Sequence, residues 1–456
     1  MNGTVYARTA NAWAVVFALV LVAFIEAPER TGAFLTELAN RAGLAGTIHA
    51  PTDNLWYVLA LSLMVAVTAL AVVSARTGDP GPYRSLLAAK LMSTFVFFLQ
   101  AVTDTPAYLL CALGDGFVAL TLAAAWGISA PHRERAAALR DGLVPDLRRR
   151  YPGLGPFYEV WFGKVNVGPG QAFWFRYTLL DGAVADAGTW AIWFDAAAGV
   201  VAGRSPASLG DLGGIAFEVP AGAIAPGRAT GRAGEISWDL EIHGGSRRFD
   251  HVPPLVAVLG LARSRYLAPY CDARVSGTVR VGAREIAVSA APGMIGHIFG
   301  SKSGHTWVWA HCNAFADAPD AVFEGLTARV ILAGRPSPPL SSFVLWLDGR
   351  CYRFSSALGM LMARSRPGEH AWSFEASAGG ATIEGEATAP EPGQVAVVTY
   401  TDTDGSHLWC RNSKLASLRI RLRDPARGID RVLEARGTAA FEYVDRNQPD
   451  RPPDLR

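Results

Sequence analysis

Cysteine is scarce in this 456-residue chain. The five present, Cys111, Cys271, Cys312, Cys351 and Cys410, stand far apart with no C-x-x-C pair among them. That spacing excludes a disulfide framework and a zinc knuckle, and it suits a reducing compartment. Phosphate-cradling and hydrolase signatures are absent as well. There is no G-x-x-x-x-G-K-[ST], no H-E-x-x-H and no G-x-S-x-G, and Val167-Gly168-Pro169-Gly170 is a turn with no helix-forming run behind it. This speaks against nucleotide-driven chemistry and a conventional serine hydrolase. The net charge is only +2, and no basic patch interleaved with aromatics stands out. Nucleic acid is therefore not an expected partner.

Apolar residues are plentiful. Half the chain is hydrophobic, with a mean hydropathy of +0.19, a value that suggests a membrane part joined to a soluble part. Four apolar runs precede residue 130, at about 12–27, 55–75, 86–102 and 108–128. The second and fourth approach the twenty or so residues that a bilayer requires. The first sits behind Arg8 with a signal peptide as its rival. No small-residue cleavage site follows it, so an uncleaved anchor is expected.

Arg76 and Arg84 lie between the second and third runs. Arg133, Arg135, Arg140, Arg148, Arg149 and Arg150 follow the fourth, whereas the link between the third and fourth holds only Asp104. Both termini are therefore expected to be cytoplasmic. Ala- and Arg-rich usage fits a bacterial chain, so the membrane expected is a bacterial inner membrane. Lys90 and Asp115 fall inside the third and fourth runs, where a charge either serves function or finds a partner. Residues 131–152 alternate charged and apolar side chains and read as an amphipathic linker on the membrane surface.

From Tyr151 the texture changes to short runs of period two separated by Gly and Pro, the pattern of antiparallel β structure. Candidate strands include 158–164, 171–179, 189–195, 235–243, 274–281, 305–313, 323–332, 342–348, 370–376, 382–387, 395–401, 417–423 and 433–443. So many short strands predict barrels or sandwiches. Two barrels fit the length, at 153–300 and 301–446, with the boundary near the Gly-containing stretch 291–303. The charged, Pro-rich residues 447–456 read as a disordered tail.

The stretch richest in chemistry is Gly304-His305-Thr306-Trp307-Val308-Trp309-Ala310-His311-Cys312-Asn313. As a strand it shows His305, Trp307, Trp309 and His311 on one face, and Thr306, Val308, Ala310 and Cys312 on the other. Two indoles and two imidazoles on one side suit a cavity that holds a large apolar molecule and handles protons. The plainer alternative is a core strand with aromatic filler. Zinc at His305, His311 and Cys312 is disfavoured, because Cys312 points to the opposite face.

Four other places carry aromatic residues beside polar ones. Tyr158-Glu159-Val160-Trp161-Phe162-Gly163-Lys164 opens the β region and is followed by Phe173-Trp174-Phe175. Trp190-Ala191-Ile192-Trp193, then Ile236-Ser237-Trp238-Asp239, and finally Trp346-Leu347-Asp348 come after. In this order the motifs resemble the tandem lipocalin-like superfamily of carotenoid 1,2-hydratases, plant tocopherol cyclases and lipocalin-type Diels–Alderases. Cys410-Arg411-Asn412-Ser413 and Ala440-Phe441-Glu442 match the family's C-terminal end. The resemblance spans roughly residues 155–445, and the N-terminal membrane part lies outside the family pattern.

The resemblance implies a mainly β fold: two lipocalin-like antiparallel barrels, here preceded by a four-helix transmembrane domain. It also implies a cofactor-free and metal-free cavity between the barrels for a lipophilic isoprenoid or polyketide. In the hydratases and cyclases a carboxylic acid protonates an alkene, and water or an internal hydroxyl captures the cation. The family's His-x-Trp is matched by His305-Thr306-Trp307. Its Tyr-x-Asp is nearest to Trp346-Leu347-Asp348, with Trp in place of Tyr and a longer spacing.

The same chemistry follows from the residues. Alkene protonation needs a carboxyl kept protonated by an apolar setting, and π faces for the developing cation. Asp348, Asp239 and Glu159 are the candidate acids in that order, with His305 as their partner. Trp161, Trp174, Trp193, Trp238, Trp307, Trp309, His311 and Trp346 are the candidate substrate wall. The expected function is acid-catalysed hydration or cyclisation of a polyene delivered from the bilayer. The alternatives are a lipid or pigment carrier and a cyclase that folds its substrate by shape alone.

Overall fold

The structure, a computed structural model, describes residues 5–48, 54–77, 80–128, 147–253, 256, 262–332, 334–447, 449 and 452–455. The chain divides into two compact units, residues 1–141 and 142–456.

The first unit is helical: α1 (Val5–Glu26), α2 (Pro28–Arg41), α3 (Asn54–Thr77), α4 (Pro80–Thr103) and α5 (Tyr108–Ile128). By length and composition α1, α3, α4 and α5 can each cross a membrane. Large apolar side chains such as Leu19, Leu63, Phe95 and Leu120 point outward, as lipid-facing surfaces require. Inside, alanines at 10, 14 and 71 are buried, which lets helix backbones approach. Trp13 Nε1 donates to Thr121 Oγ1 at 3.0 Å, and Tyr83 donates from its hydroxyl to Leu122 O at 2.8 Å. Lys90 and Asp115 meet at 2.8 Å, and Ser93 donates to the same carboxylate. Each charge thus answers the other. Helix α2 falls in what reads from the sequence as a loop. Pro28 supplies its first turn, and it is too polar to be a span.

The second unit is two large antiparallel sheets and a two-stranded ribbon, Ile331–Leu332 with Arg335–Pro336. From one edge to the other the first runs Gly199–Ala207, Ala185–Asp195, Gln171–Asp181, Phe157–Gly168, Arg284–Gly300, Ser264–Val281, Ile236–His243, Arg228–Ala233, Gly222–Ala225 and Phe217–Val219. The second runs Arg350–Phe354, Leu340–Leu347, Val322–Arg329, Thr306–Cys312, Ile429–Asp445, His407–Asp424, Ala381–Thr388, Ala371–Ala378 and Arg364–Arg366. Both follow one plan. A four-strand meander pairs its first strand with the last strand of a long hairpin, so the two sheets repeat one topology.

Each sheet curls into a half-barrel. In the first, Trp238 Nε1 reaches across to the Tyr177 hydroxyl at 2.9 Å, although their strands lie far apart in the sheet order. Alternation gives every central strand two faces. Trp161 and Val165 fill the first curl, and Val308, Ala310 and Cys312 fill the second. Val160, Phe162, Trp174, Trp309 and Val344 meet in a third core between the sheets.

Two sequence expectations change here. The stretch 291–303 holds no candidate strand, whereas the Arg284–Gly300 strand runs through most of it and the second sheet begins at Thr306. Its glycines make room for neighbours: a Cβ on Gly296 would lie 2.3 Å from the Phe162 ring, and one on Gly300 2.1 Å from Arg263 O. The C-terminal tail is not free where it is described. Leu455 bridges Val398 in parallel, Asp454 N donates to Val397 O at 2.8 Å, and Leu455 is buried. Of the expected amphipathic linker, residues 131–146 lie outside the described residues. Residues 147–151 cap the first curl, where Leu147 O accepts from Trp161 Nε1 at 2.8 Å.

Candidate active site

A cavity of about 1100 Å³ lies between the sheets, with walls drawn from both. Trp174, Trp190 and Tyr266 come from the first sheet, and Trp307, Trp309 and Tyr400 from the second. Aromatic rings from both sheets therefore line a space large enough for a sizeable lipid.

One carboxylate stands behind this wall. Val322–Arg329 pairs along its length with the Thr306–Cys312 strand, and alternation turns Val322, Glu324 and Leu326 toward the first sheet. Glu324 is fully buried. Its Oε1 accepts from Trp309 Nε1 at 2.6 Å and from the Tyr266 hydroxyl at 2.9 Å, and it lies 3.0 Å from His251 Nε2. Oε2 has no hydrogen-bond partner among the described residues. His251 Nδ1 lies 2.5 Å from Ser342 Oγ, and its ring stacks on Tyr266 at 4.5 Å. His251, Tyr266 and Trp309 all line the cavity. Burial and the adjacent Glu324 charge push the Tyr266 hydroxyl well above its usual range, so it remains a donor at any working pH. The order Ser342–His251–Glu324 has the look of a hydrolase triad. Ser342 is fully buried and outside the cavity wall, which denies it a nucleophile's reach.

A second polar group adjoins the cavity. Glu442 lines the wall and accepts from Lys414 Nζ at 2.8 Å. That ammonium stands 5.2 Å over the Trp309 ring, and burial lowers its pKa. Lys164 Nζ donates to Asn166 at 2.5 Å and to Asn313 at 3.1 Å, across the sheets. Burial without a carboxylate partner lowers its pKa to about 8. Among the described residues no cluster of His, Cys, Asp and Glu could hold a metal ion.

The sequence-predicted residues divide. Trp174, Trp307 and Trp309 line the cavity. Trp161, Trp193 and Trp238 fill the interior of the first curl, and Trp346 packs against the between-sheet core outside the cavity wall. His311 faces the first sheet as expected, where its Nε2 lies 2.9 Å from Cys271 O, but it is sealed under the cavity. His305 precedes the strand, its backbone amide donating to Arg329 O at 2.7 Å. Partial burial and the nearby Arg446 and Arg329 lower its pKa.

None of the three predicted acids is in the wall. Asp348 has φ +50 and sits in the turn between Leu340–Leu347 and Arg350–Phe354. Its side chain is 64% exposed, 3.7 Å from Arg431. Asp239 is on an outer strand face paired with Arg228 at 2.7 Å, and that guanidinium lowers its pKa. Glu159 is buried but faces the first curl, accepting from the amides of Arg150 and Tyr151 and contacting His297 at 2.8 Å. The residues missed were His251, Tyr266, Glu324 and Glu442. Glu324 had a signal: a lone carboxylate inside an apolar strand, on the face that alternation directs inward. His251 follows a two-residue strand and carries no such signal.

The tocopherol cyclase-like family model matches residues 268–442, the span that holds Glu324, Trp309, Lys414 and Glu442. Residues 268–442 are tocopherol cyclase-like. The match covers less than half of the chain and lies within the span 155–445 over which the motifs resemble the superfamily. No curated protein sequence matches the chain. Among solved structures, a putative AttH from Nitrosomonas europaea is 12% identical, covering 66% of this chain and 98% of its own with a TM-score of 0.42. Kievitone hydratase from Nectria haematococca is 9% identical, covering 67% and 94% with a TM-score of 0.43. CghA with Sch210972 is 9% identical, covering 64% and 88% with a TM-score of 0.43.

Proposed function

We propose that this tocopherol cyclase-like chain protonates an alkene of a lipophilic polyene in the between-sheet cavity, leading to hydration or ring closure. The observation that carries the reading is the buried Glu324 carboxyl, with three partners from both sheets gathered on one oxygen at an aromatic wall. With Oε1 saturated, a proton on this carboxyl sits on Oε2, which has no protein acceptor. That Oε2 proton is the one delivered; both His251 nitrogens are engaged, with Ser342 and with Glu324 Oε1, so His251 positions the carboxyl. His251, Tyr266 and Trp309 are the wall side chains that contact the carboxyl.

Transfer to the alkene forms a C–H bond, empties the π bond and leaves a tertiary cation. Tyr266 and Trp309 hold the carboxyl in place, and the faces of the wall indoles stabilise the cation. Water or a substrate hydroxyl then forms the C–O bond and returns its proton to the Glu324 carboxylate. The net change is one water added or an isomer of equal mass. No cofactor enters this scheme. The four apolar helices would hold the β unit beside a bilayer that supplies substrate, and the Lys and Arg distribution supports a cytoplasmic β unit at a bacterial inner membrane.

The test is mass spectrometry of lipid extracts from cells expressing wild type, Glu324→Gln or an empty vector. Wild type alone should yield a hydrated or isomeric polyene, and Glu324→Gln should lose at least about a hundredfold in conversion, the range for removing a general acid. Matching extracts, with one lipid co-purifying with both proteins, would return the chain to a carrier.

A further inference from the structure

The cavity has a second chemical end. Arg176 lines it, across the sheet from Tyr266, and among the described residues its guanidinium makes no ion pair and its buried Nε has no acceptor. Arg263, also in the wall, is exposed, and the other cations in or beside the wall are neutralised. Arg204 pairs with Asp186, Lys302 with Asp402 at 2.9 Å and Asp404 at 2.5 Å, and Lys414 with Glu442 at 2.8 Å. Arg176 instead packs over aromatics, with Cζ 3.9 Å from the Tyr400 ring centroid and 5.6 Å from that of Trp190. Contact with the two rings holds the guanidinium in the wall while its Nε donor stays without a protein acceptor. A planar donor fork suits a carboxylate, which accepts from two N–H groups at once.

From these contacts we infer that Arg176 is an anion-recognising subsite, and that the molecule held in the cavity is a polyene bearing a carboxylate. Register supplies the spacing. Arg176 is the cross-strand partner of Phe162, and Phe162 packs on Tyr266 at 5.9 Å and on Trp309 at 5.6 Å, two of the residues that hold Glu324. Arg176 and Tyr266 are three strands apart in the sheet order, roughly 14 Å at the usual strand spacing. The carboxylate therefore binds at one end while the chain runs past Phe162 toward the Glu324–His251 pair. The inference rests on the proposed lipid-binding cavity and adds the head group.

The competing role for Arg176 is a cation–π clamp between the sheets, which would have no preference among ligands. The experiment uses the full-length chain in phosphatidylcholine nanodiscs, with protein-free discs subtracted, and titrates the fluorescent polyene cis-parinaric acid against its methyl ester. Wild type should bind the acid about tenfold or more tighter than the ester, the scale of a charge-assisted bidentate contact. Arg176→Met should abolish that preference while binding the ester as wild type does, which also reports folding. Arg176→Lys should retain part of it. Equal binding of acid and ester by wild type, which needs no variant, overturns the inference alone. So does a preference that survives in Arg176→Met. Binding of neither ligand overturns it together with the cavity reading.

Discussion

Two carboxylates, Asp348 and Glu324, divide the question of which acid the cavity uses. Asp348 was attractive because it follows an aromatic, apolar strand. The two residues Asp348-Gly349, with φ +50 and +74, are instead the Asp-Gly pair of a tight hairpin whose central residues need positive φ. That signal was in the sequence and argued for a turn. Asp348→Asn should therefore leave lipid conversion unchanged and shift stability by no more than about 0.5 kcal/mol, since Asn suits the same turn. Thermal melts and product yields check both. Glu324 was legible only through alternation, because nothing local distinguishes an inward carboxylate from an outward one until the register is known. Its hydroxyl partner gives a graded test. Tyr266→Phe removes one donor from Oε1 and keeps the ring stack on His251, so conversion should fall about tenfold or more without loss of the fold. Unchanged conversion in that variant would remove Tyr266 from the machinery.

At the scale of elements, the apolar helices and the better-patterned strands could be read from their periods, whereas the Arg284–Gly300 strand could not. Its glycines look like breakers in a single sequence. Their cause lies across the sheet, in the Phe162 ring that occupies the space a Gly296 side chain would need. Gly296→Ala should cost about 1–3 kcal/mol by overpacking. Because Phe162 also touches Tyr266 and Trp309, conversion should drop with it. Differential scanning fluorimetry and product yield together make the check. A neutral Gly296→Ala would mean that the Phe162 ring yields more easily than its packing implies. Helix α2 and the bridged residue Leu455 were missed for a related reason. Both are short and polar-flanked, and what holds them is contact rather than pattern.

At the scale of the β unit, the sheets are joined beneath the cavity by a polar layer that no strand pattern reveals. His311 and Asn313 of the second sheet both approach Cys271 O, at 2.9 and 3.3 Å, and Asn313 Nδ2 donates to Gly293 O at 2.7 Å. Lys164 donates back to Asn313. His311 is fully buried in this layer, and desolvation, reinforced by the Lys164 and Lys414 charges, holds its pKa well below 6.5. In the folded protein it stays neutral, whereas the unfolded chain takes up a proton near pH 6.5. The unfolded state therefore binds more protons below that value. Stability from this residue is fully present above pH 6.5 and declines as pH falls toward the folded pKa. Wild-type melting temperature should therefore decrease on acidification from pH 7 to 5. His311→Gln keeps a donor toward Cys271 O but cannot titrate, so its own decline over that interval should be shallower even if it is less stable at pH 7. Parallel slopes for the two proteins would show that the acid sensitivity of the joint between the sheets resides elsewhere.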